Sequence, residues 1–262
     1  MSQAMNINEW FGGAERILFV HAHPDDESLA TGGTIAALAA AGRDPGVVTL
    51  TRGEQGELSP GIELEGTLAD HRARELAAAL SALGVRSHAF LGALPARSAQ
   101  QPPRRYLDSG MSWGPDGRAT AAADTDEDAL TRASASEALA DLVAVADAWD
   151  VDAVVSYDAM GGYGHPDHVF AHRAGRAVAF GLDVPFWEIV VDPLHPAGEI
   201  GSSPVHTYDI SPWLESKVAA LHAYQTQLTL EGEVITHVGG QKDLVAPLEY
   251  FRRLEAPDGR RP

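Results

Sequence analysis

Residues 16–28 read Arg16-Ile-Leu-Phe-Val-His-Ala-His-Pro-Asp-Asp-Glu-Ser28, and residues 29–41 continue as a run rich in alanine and leucine. A short, partly β-branched apolar run, a polar turn and then a helix-forming segment spell strand, loop, helix. The order repeats downstream. Residues 45–51 read as the next strand, a loop rich in glycine and glutamate leads to a helix over 68–83, and 87–91 read as a third strand. A helix over 136–149 precedes a fourth strand at 153–157. Strands alternating with helices of this length imply parallel strands joined by crossovers. The expected fold is α/β: a Rossmann-like, doubly wound and mostly parallel sheet with helices on both faces.

Beyond residue 169 the pattern weakens. Strands are expected at 185–191 and 205–210 and a helix over 211–228, and the last dozen residues are expected to fray. The connection from 92 to 128 has no clear periodicity and is long for a compact domain, which marks it as a functional or a mobile loop. The organisation expected is one domain over 1–262, with a core at 15–182 and a C-terminal part, 183–262, completing the sheet and the rim of the site.

Composition narrows the function. A chain of 262 residues that is 45% hydrophobic can bury a sizeable core. No apolar run is long enough to span a bilayer, and the first ten residues lack the pattern of a signal peptide, so a cytoplasmic protein is expected. The formal net charge of −18 repels phosphate backbones and anionic membranes, which argues against nucleic acid and membranes as partners. The chain has no cysteine, so any metal must rest on histidine and carboxylate.

Two clusters carry chemistry. The first is His23-Pro-Asp-Asp-Glu27, after the first strand; the second is Gly161-Gly-Tyr-Gly-His-Pro-Asp-His168, after the strand ending at Tyr157. In an open parallel sheet ligands bind outside the carboxyl ends of the strands, so the two loops can face one another there. A catalytic metal site needs about three N or O ligands and an open position. His23 and Asp26 offer an imidazole and a carboxylate within one short turn, and His168 completes the set. Consecutive carboxylates Asp25 and Asp26 do not readily reach one ion together; one as ligand and its neighbour beside the attacking water is simpler. His21 lies on the apolar strand, where packing is its expected role. His71, His88, His172, His195, His206, His222 and His237 are scattered and read mostly as surface or structural residues.

These residues resemble the PIG-L, or LmbE-like, deacetylases of N-acetylglucosaminyl compounds. The resemblance is strongest to the branch in mycothiol metabolism, which comprises N-acetylglucosaminyl-inositol deacetylases and thiol-conjugate amidases. It runs over residues 16–91, 108–111, 157–169 and 217–227. It implies His23, Asp26 and His168 as ligands of zinc, with ferrous iron as the alternative, and Asp25 as general base. It further implies His165 as a charged partner for the oxyanion and then proton donor to the amine, oriented by Asp167, with the Tyr163 hydroxyl reaching the same oxyanion. Arg72, Asp108 and Glu57 would line the sugar pocket. The implied activity is hydrolysis of the acetamide of an amino sugar, a small-molecule substrate. Between about 182 and 205 the chain is shorter than those deacetylases, which leaves the aglycone open. Oligomeric state is open too, a homo-oligomer included.

Other classes fit less well. A dinucleotide site wants a glycine-rich turn after the first strand, where this chain has three consecutive acids. No Gly-x-Ser-x-Gly elbow is present for a serine hydrolase. An inactive metal-binding scaffold would have no use for Asp25 beside a full ligand set. Within the enzyme reading the alternatives are a thiol-conjugate amidase and a deacetylase of a glycosylated natural product.

Overall fold

The computed structural model describes residues 6–191 and 203–255. In chain order, β1 (Ile17–His21) leads to α1 (Asp26–Ala40), β2 (Gly46–Thr49), α2 (Leu68–Ala82) and β3 (Ser87–Phe90). A hairpin of β4 (Met111–Trp113) and β5 (Ala119–Ala121) lies within the long connection to α3 (Ala135–Ala148). Then come β6 (Ala153–Ser156), α4 (Pro166–Gly181), β7 (Phe186–Ile189), β8 (Val205–Asp209) and α5 (Leu214–Leu221). The chain closes with β9 (Leu228–Glu231), β10 (Val234–His237), β11 (Lys242–Leu244) and β12 (Leu248–Leu254).

Seven strands form one sheet in the order β3-β2-β1-β6-β7-β12-β8. The first five run parallel, and β12 is antiparallel to both its neighbours. Side chains alternate across a strand, so a strand covered on both faces needs apolar residues at every position. β1 meets this. Ile17 and Phe19 join one core with Ile35 and Leu38 of α1, Leu76 of α2 and Leu221 of α5. Leu18 and Val20 join the other with Leu142 and Val145 of α3 and Val178 of α4. The sheet is doubly wound as expected.

From β1 the chain steps outward to β2 and β3, then returns to β6 on the other side of β1. The strand order therefore reverses between β1 and β6, and the crevice at such a switch point is where open α/β sheets bind ligands. The loops following β1 and β6 are the two histidine-rich clusters.

The structure departs from expectation mainly after residue 160. α4 was hidden because its inward face carries His168, Ala171, His172 and Gly175, a stripe too small and polar to show helical periodicity. α1 begins at Asp26 and not at residue 29, its first turn made of acids that suit a helix N-terminus. The helix expected over 211–228 is shorter, a 3-10 turn followed by α5. The β9–β11 meander and β12 were not foreseen. Residues 251–254, expected to fray, belong to β12 and pair with β7; residues 256–262 and His195 lie outside the described residues. The connection over 92–128 is tied down by Arg97 and Tyr106, which both reach the buried Asp141 carboxylate at 2.8 Å.

Candidate metal centre and active site

The tightest arrangement at the switch point is a triangle. His23 Nδ1 lies 3.3 Å from Asp26 Oδ2 and 3.3 Å from His168 Nε2, and His168 Nε2 lies 3.4 Å from Asp26 Oδ2. A tetrahedral ion with bonds of 2.0–2.1 Å holds its ligand atoms about 3.3 Å apart. The spacing and the N/N/O donor set therefore fit a divalent metal. Asp26 is the first residue of α1 and His168 stands in the first turn of α4, so two of the three candidate ligands sit on helix starts and not on loops.

Each member is held from behind. Asp26 Oδ2 accepts from the His23 backbone N–H at 2.8 Å and from the Tyr157 hydroxyl at 2.6 Å. The Tyr157 ring stacks on His168 with centroids 4.1 Å apart. Burial alone would raise the Asp26 pKa, but His168 and His23 outweigh it and hold the carboxylate well below its ordinary range. The far nitrogen of His23 faces Asp167 Oδ2 at 3.2 Å and Asp108 Oδ1 at 3.6 Å. Such a carboxylate behind a ligating imidazole fixes its orientation and raises its basicity. Tyr157 was not singled out in the sequence; the available signal was a tyrosine ending a buried strand directly before the second cluster.

Asp25 flanks the triangle and is half-buried, whereas its neighbour Asp26 is buried. It caps α1 at φ 108°, a conformation L-residues rarely adopt. Glu27, fully buried, supports that turn: Oε2 accepts from the Asp25 N–H at 3.2 Å, while Oε1 accepts from the hydroxyls of Ser28 and Tyr224, each at 2.5 Å. Burial and the neighbouring Asp26 raise the Asp25 pKa well above the carboxylate range, against the opposing charge of Arg72. A raised pKa suits a group that must take up a proton near neutrality.

Arg72 is buried and donates to the carbonyls of Gly53 at 2.7 Å and Glu57 at 3.2 Å. A Cβ at Gly53 or Gly56 would stand 2.3 or 2.2 Å from its Nη1, so the glycines let this loop wrap the guanidinium. Of the expected sugar-lining residues, the structure brings Asp108 against His23 and Arg72 within electrostatic reach of Asp25. The exposed side chain of Glu57 is not drawn into the cluster; its backbone carbonyl is what contributes.

His165 has a ligand nitrogen within 4.8 Å of those of His23 and His168. It is the N-cap of α4, and its Nδ1 accepts the Asp167 backbone N–H at 3.1 Å. Burial first, then His23 and His168, push its pKa far below the usual histidine value. Burial and an Nδ1 that accepts an N–H both favour the neutral imidazole, with Nε2 left to face the site. The contact from Asp167 to His165 runs through the backbone N–H, while the Asp167 carboxylate lies against His23 and accepts the Ser109 N–H. Tyr163 is 47% exposed, with its ring 6.1 Å from that of His165 and 5.2 Å from that of His168. His21 packs as expected, buried, with Nε2 3.0 Å from the Thr31 hydroxyl. His172 is likewise structural, its Nδ1 2.8 Å from the Tyr157 carbonyl.

Residues 18–179 match the family described as PIG-L, GlcNAc-PI de-N-acetylase. The chain is 34% identical to a 1D-myo-inositol 2-acetamido-2-deoxy-alpha-D-glucopyranoside deacetylase of Nocardioides sp., over 94% of each chain. To the enzyme of the same name from Saccharomonospora viridis it is 36% identical, over 92% of this chain and 96% of that one. Among solved structures, the zinc-inhibited form of a teicoplanin deacetylase superposes with a TM-score of 0.63 at 21% identity, covering 93% of this chain and 99% of the other. That last likeness is one of fold.

Proposed function

The chain belongs to the PIG-L family of GlcNAc-PI de-N-acetylases, and from that premise we propose that it is a metal-dependent N-deacetylase of an N-acetylglucosaminyl-inositol compound. The observation that carries the reading is the 3.3–3.4 Å triangle of His23, Asp26 and His168 with Asp25 standing beside it. These three would hold the ion, zinc being favoured by two imidazoles and one carboxylate. When bound, the ion supplies Lewis-acid polarisation of the amide carbonyl and of the attacking water.

Asp25 takes the proton of that water as it adds to the acetyl carbon. His165, neutral and anchored through Nδ1, presents Nε2–H to the developing oxyanion. The Tyr163 hydroxyl, on a loop with glycine at 161, 162 and 164, reaches the same oxygen from the solvent side. Collapse then needs a proton on the departing amine, and the carboxyl of Asp25, protonated in the first step, holds one. Asp108 and Arg72 border the sugar; Asp167 touches no substrate and acts by positioning His23.

The test is turnover of a panel of N-acetylglucosaminyl compounds by the metal-loaded protein, read by fluorescent derivatisation of the freed amine. Release of one amine and one acetate per turnover from N-acetylglucosaminyl-inositol, abolished by chelation and restored by zinc, is expected. Hydrolysis of no N-acetyl sugar by fully metallated protein would sink the reading.

A further inference from the structure

The β4–β5 hairpin holds an indole at the mouth of the site that nothing above requires. Trp113 is 53% exposed, and its ring lies 5.9 Å from that of Tyr163, tilted by 34°. The placement is enforced by backbone contacts. Ala119, the cross-strand partner of Trp113, donates its N–H to the Tyr163 carbonyl at 3.0 Å. The next residue, Gly164, has φ +100°, and a Cβ there would stand 2.8 Å from the Ala119 carbonyl oxygen, so the loop meets the hairpin where only glycine fits. At its other end the hairpin starts just after Asp108, whose Oδ1 accepts from Gly110 N–H at 2.9 Å and faces His23. Both attachments lead back to the metal centre.

We propose that Trp113, with Tyr163, forms an aromatic ledge that seats the second ring of the substrate, the polyol or sugar ring linked to the acetylated glucosamine. The proposal rests on the deacetylase reading and adds to it the residues that hold the substrate beyond the glucosamine. The rings of His168, Tyr163 and Trp113 follow one another at 5.2 and 5.9 Å, so a substrate that reaches past Tyr163 meets Trp113 next. The occupant is a ring with an apolar C–H face and a rim of hydroxyls. An exposed indole can pack against such a face, and it offers no charge to a chain segment or phosphate. Binding sites place a few directional polar groups among aromatic walls; here Asp108 and Arg72 are the polar groups and Trp113 and Tyr163 the wall.

The experiment compares a one-ring substrate, the methyl glycoside of N-acetylglucosamine, with the two-ring N-acetylglucosaminyl-inositol. Trp113→Ala is expected to raise KM about tenfold for the two-ring compound and far less for the one-ring compound, with kcat changing less than KM. Trp113→Phe should recover most of the loss. Calorimetric binding of the two free amines to metal-loaded wild type and variant runs in parallel and needs no turnover. Equal effects on both compounds, or none on either, overturn the ledge; so does a variant whose only change is a smaller mass in solution, which would make Trp113 a contact between copies of this chain. If wild type hydrolyses neither compound, the deacetylase reading fails instead, and the binding comparison still decides on Trp113.

Discussion

His23-Pro-Asp-Asp26 and His165-Pro-Asp-His168 are nearly the same tetrapeptide, and each lies between a parallel strand and the start of the next helix. Their side chains nevertheless take different roles, because the helices begin at different places in the motif. In the first loop the third residue, Asp25, is the N-cap, at φ 108° and half-buried. In the second loop the first residue, His165, is the N-cap at φ −58°, and Pro166 occupies the first helical turn, where its missing N–H and fixed φ cost nothing. The third residue, Asp167, is then inside the helix and 0% exposed. Only the fourth position agrees: Asp26 and His168 both face the triangle. A shift of two residues in helix start leaves one aspartate half-buried beside the triangle, the proposed base, and puts the other against His23.

The largest effect should come from the position the loops share. His168→Ala removes one donor of three, and metal content by elemental analysis should fall to background; full occupancy would break the ligand assignment. Next comes the third position of the first loop. Asp25→Asn should retain metal and lose about a hundredfold or more in turnover, the usual worth of a general base. Its acid limb should vanish as well. Burial raises the Asp25 pKa, so in wild type activity is present above that raised value and is lost as falling pH protonates the carboxylate. The limb is a macroscopic property of the coupled site, which is why the variant is needed to assign it. Loss of metal in Asp25→Asn would make the two aspartates of the first loop equivalent.

The comparison also shows how much the chain discloses on reading. The apolar run of β1 and the strand–helix alternation were enough for the sheet, since a doubly covered strand must be apolar throughout. The triangle was legible too, because a cysteine-free chain leaves few ways to hold an ion and His23, Asp26 and His168 cluster at two strand ends. The division of labour within the motifs came only from the family resemblance, since spacing alone leaves open which of Asp25 and Asp26 is the ligand. It depends on whether the N-cap is residue 25 or 23, and 165 or 167, and cap geometry is decided by packing against β1 and β6 rather than by the four letters. α4 escaped notice for a related reason: its inward face is ligand, support and glycine. The Glu27–Tyr224 contact joins residues 197 apart, and local pattern cannot show such a pair.

Asp167→Asn tests the same motif position in the second loop. Its carboxylate lies behind His23, 3.2 Å from Nε2, and accepts the Ser109 N–H at 3.0 Å. Removing the charge while keeping the shape should weaken metal affinity by about 10–100-fold, the usual cost of losing an outer partner of a ligating histidine. Competition with a chelator measures it. Metal-saturated Asp167→Asn should then regain most of its turnover, unlike Asp25→Asn. If saturating metal leaves it as slow as the Asp25 variant, the two third-position aspartates do not differ as the helix starts imply.

The smallest effect concerns the first position of the second loop, where capping and chemistry fall on one ring. His165 Nδ1 accepts the Asp167 N–H, while Nε2–H is the proposed donor to the oxyanion. Asparagine can cap a helix start but cannot reach the oxyanion; alanine can do neither. His165→Asn and His165→Ala should therefore lose turnover alike, whereas thermal or urea unfolding of the metal-loaded proteins should show only the alanine variant destabilised, by about 1 kcal/mol. The neutral state of the ring adds a pH criterion. Burial, His23 and His168 push its pKa down and Nδ1 accepts an N–H, so the expected outcome is that no rate is lost through this ring as pH rises. Any alkaline limb of wild type should persist unshifted in the residual activity of His165→Asn. A limb that flattens would restore the imidazolium, and it would also require the Asp167 N–H to leave Nδ1, which equal stability of the asparagine and alanine variants would show independently.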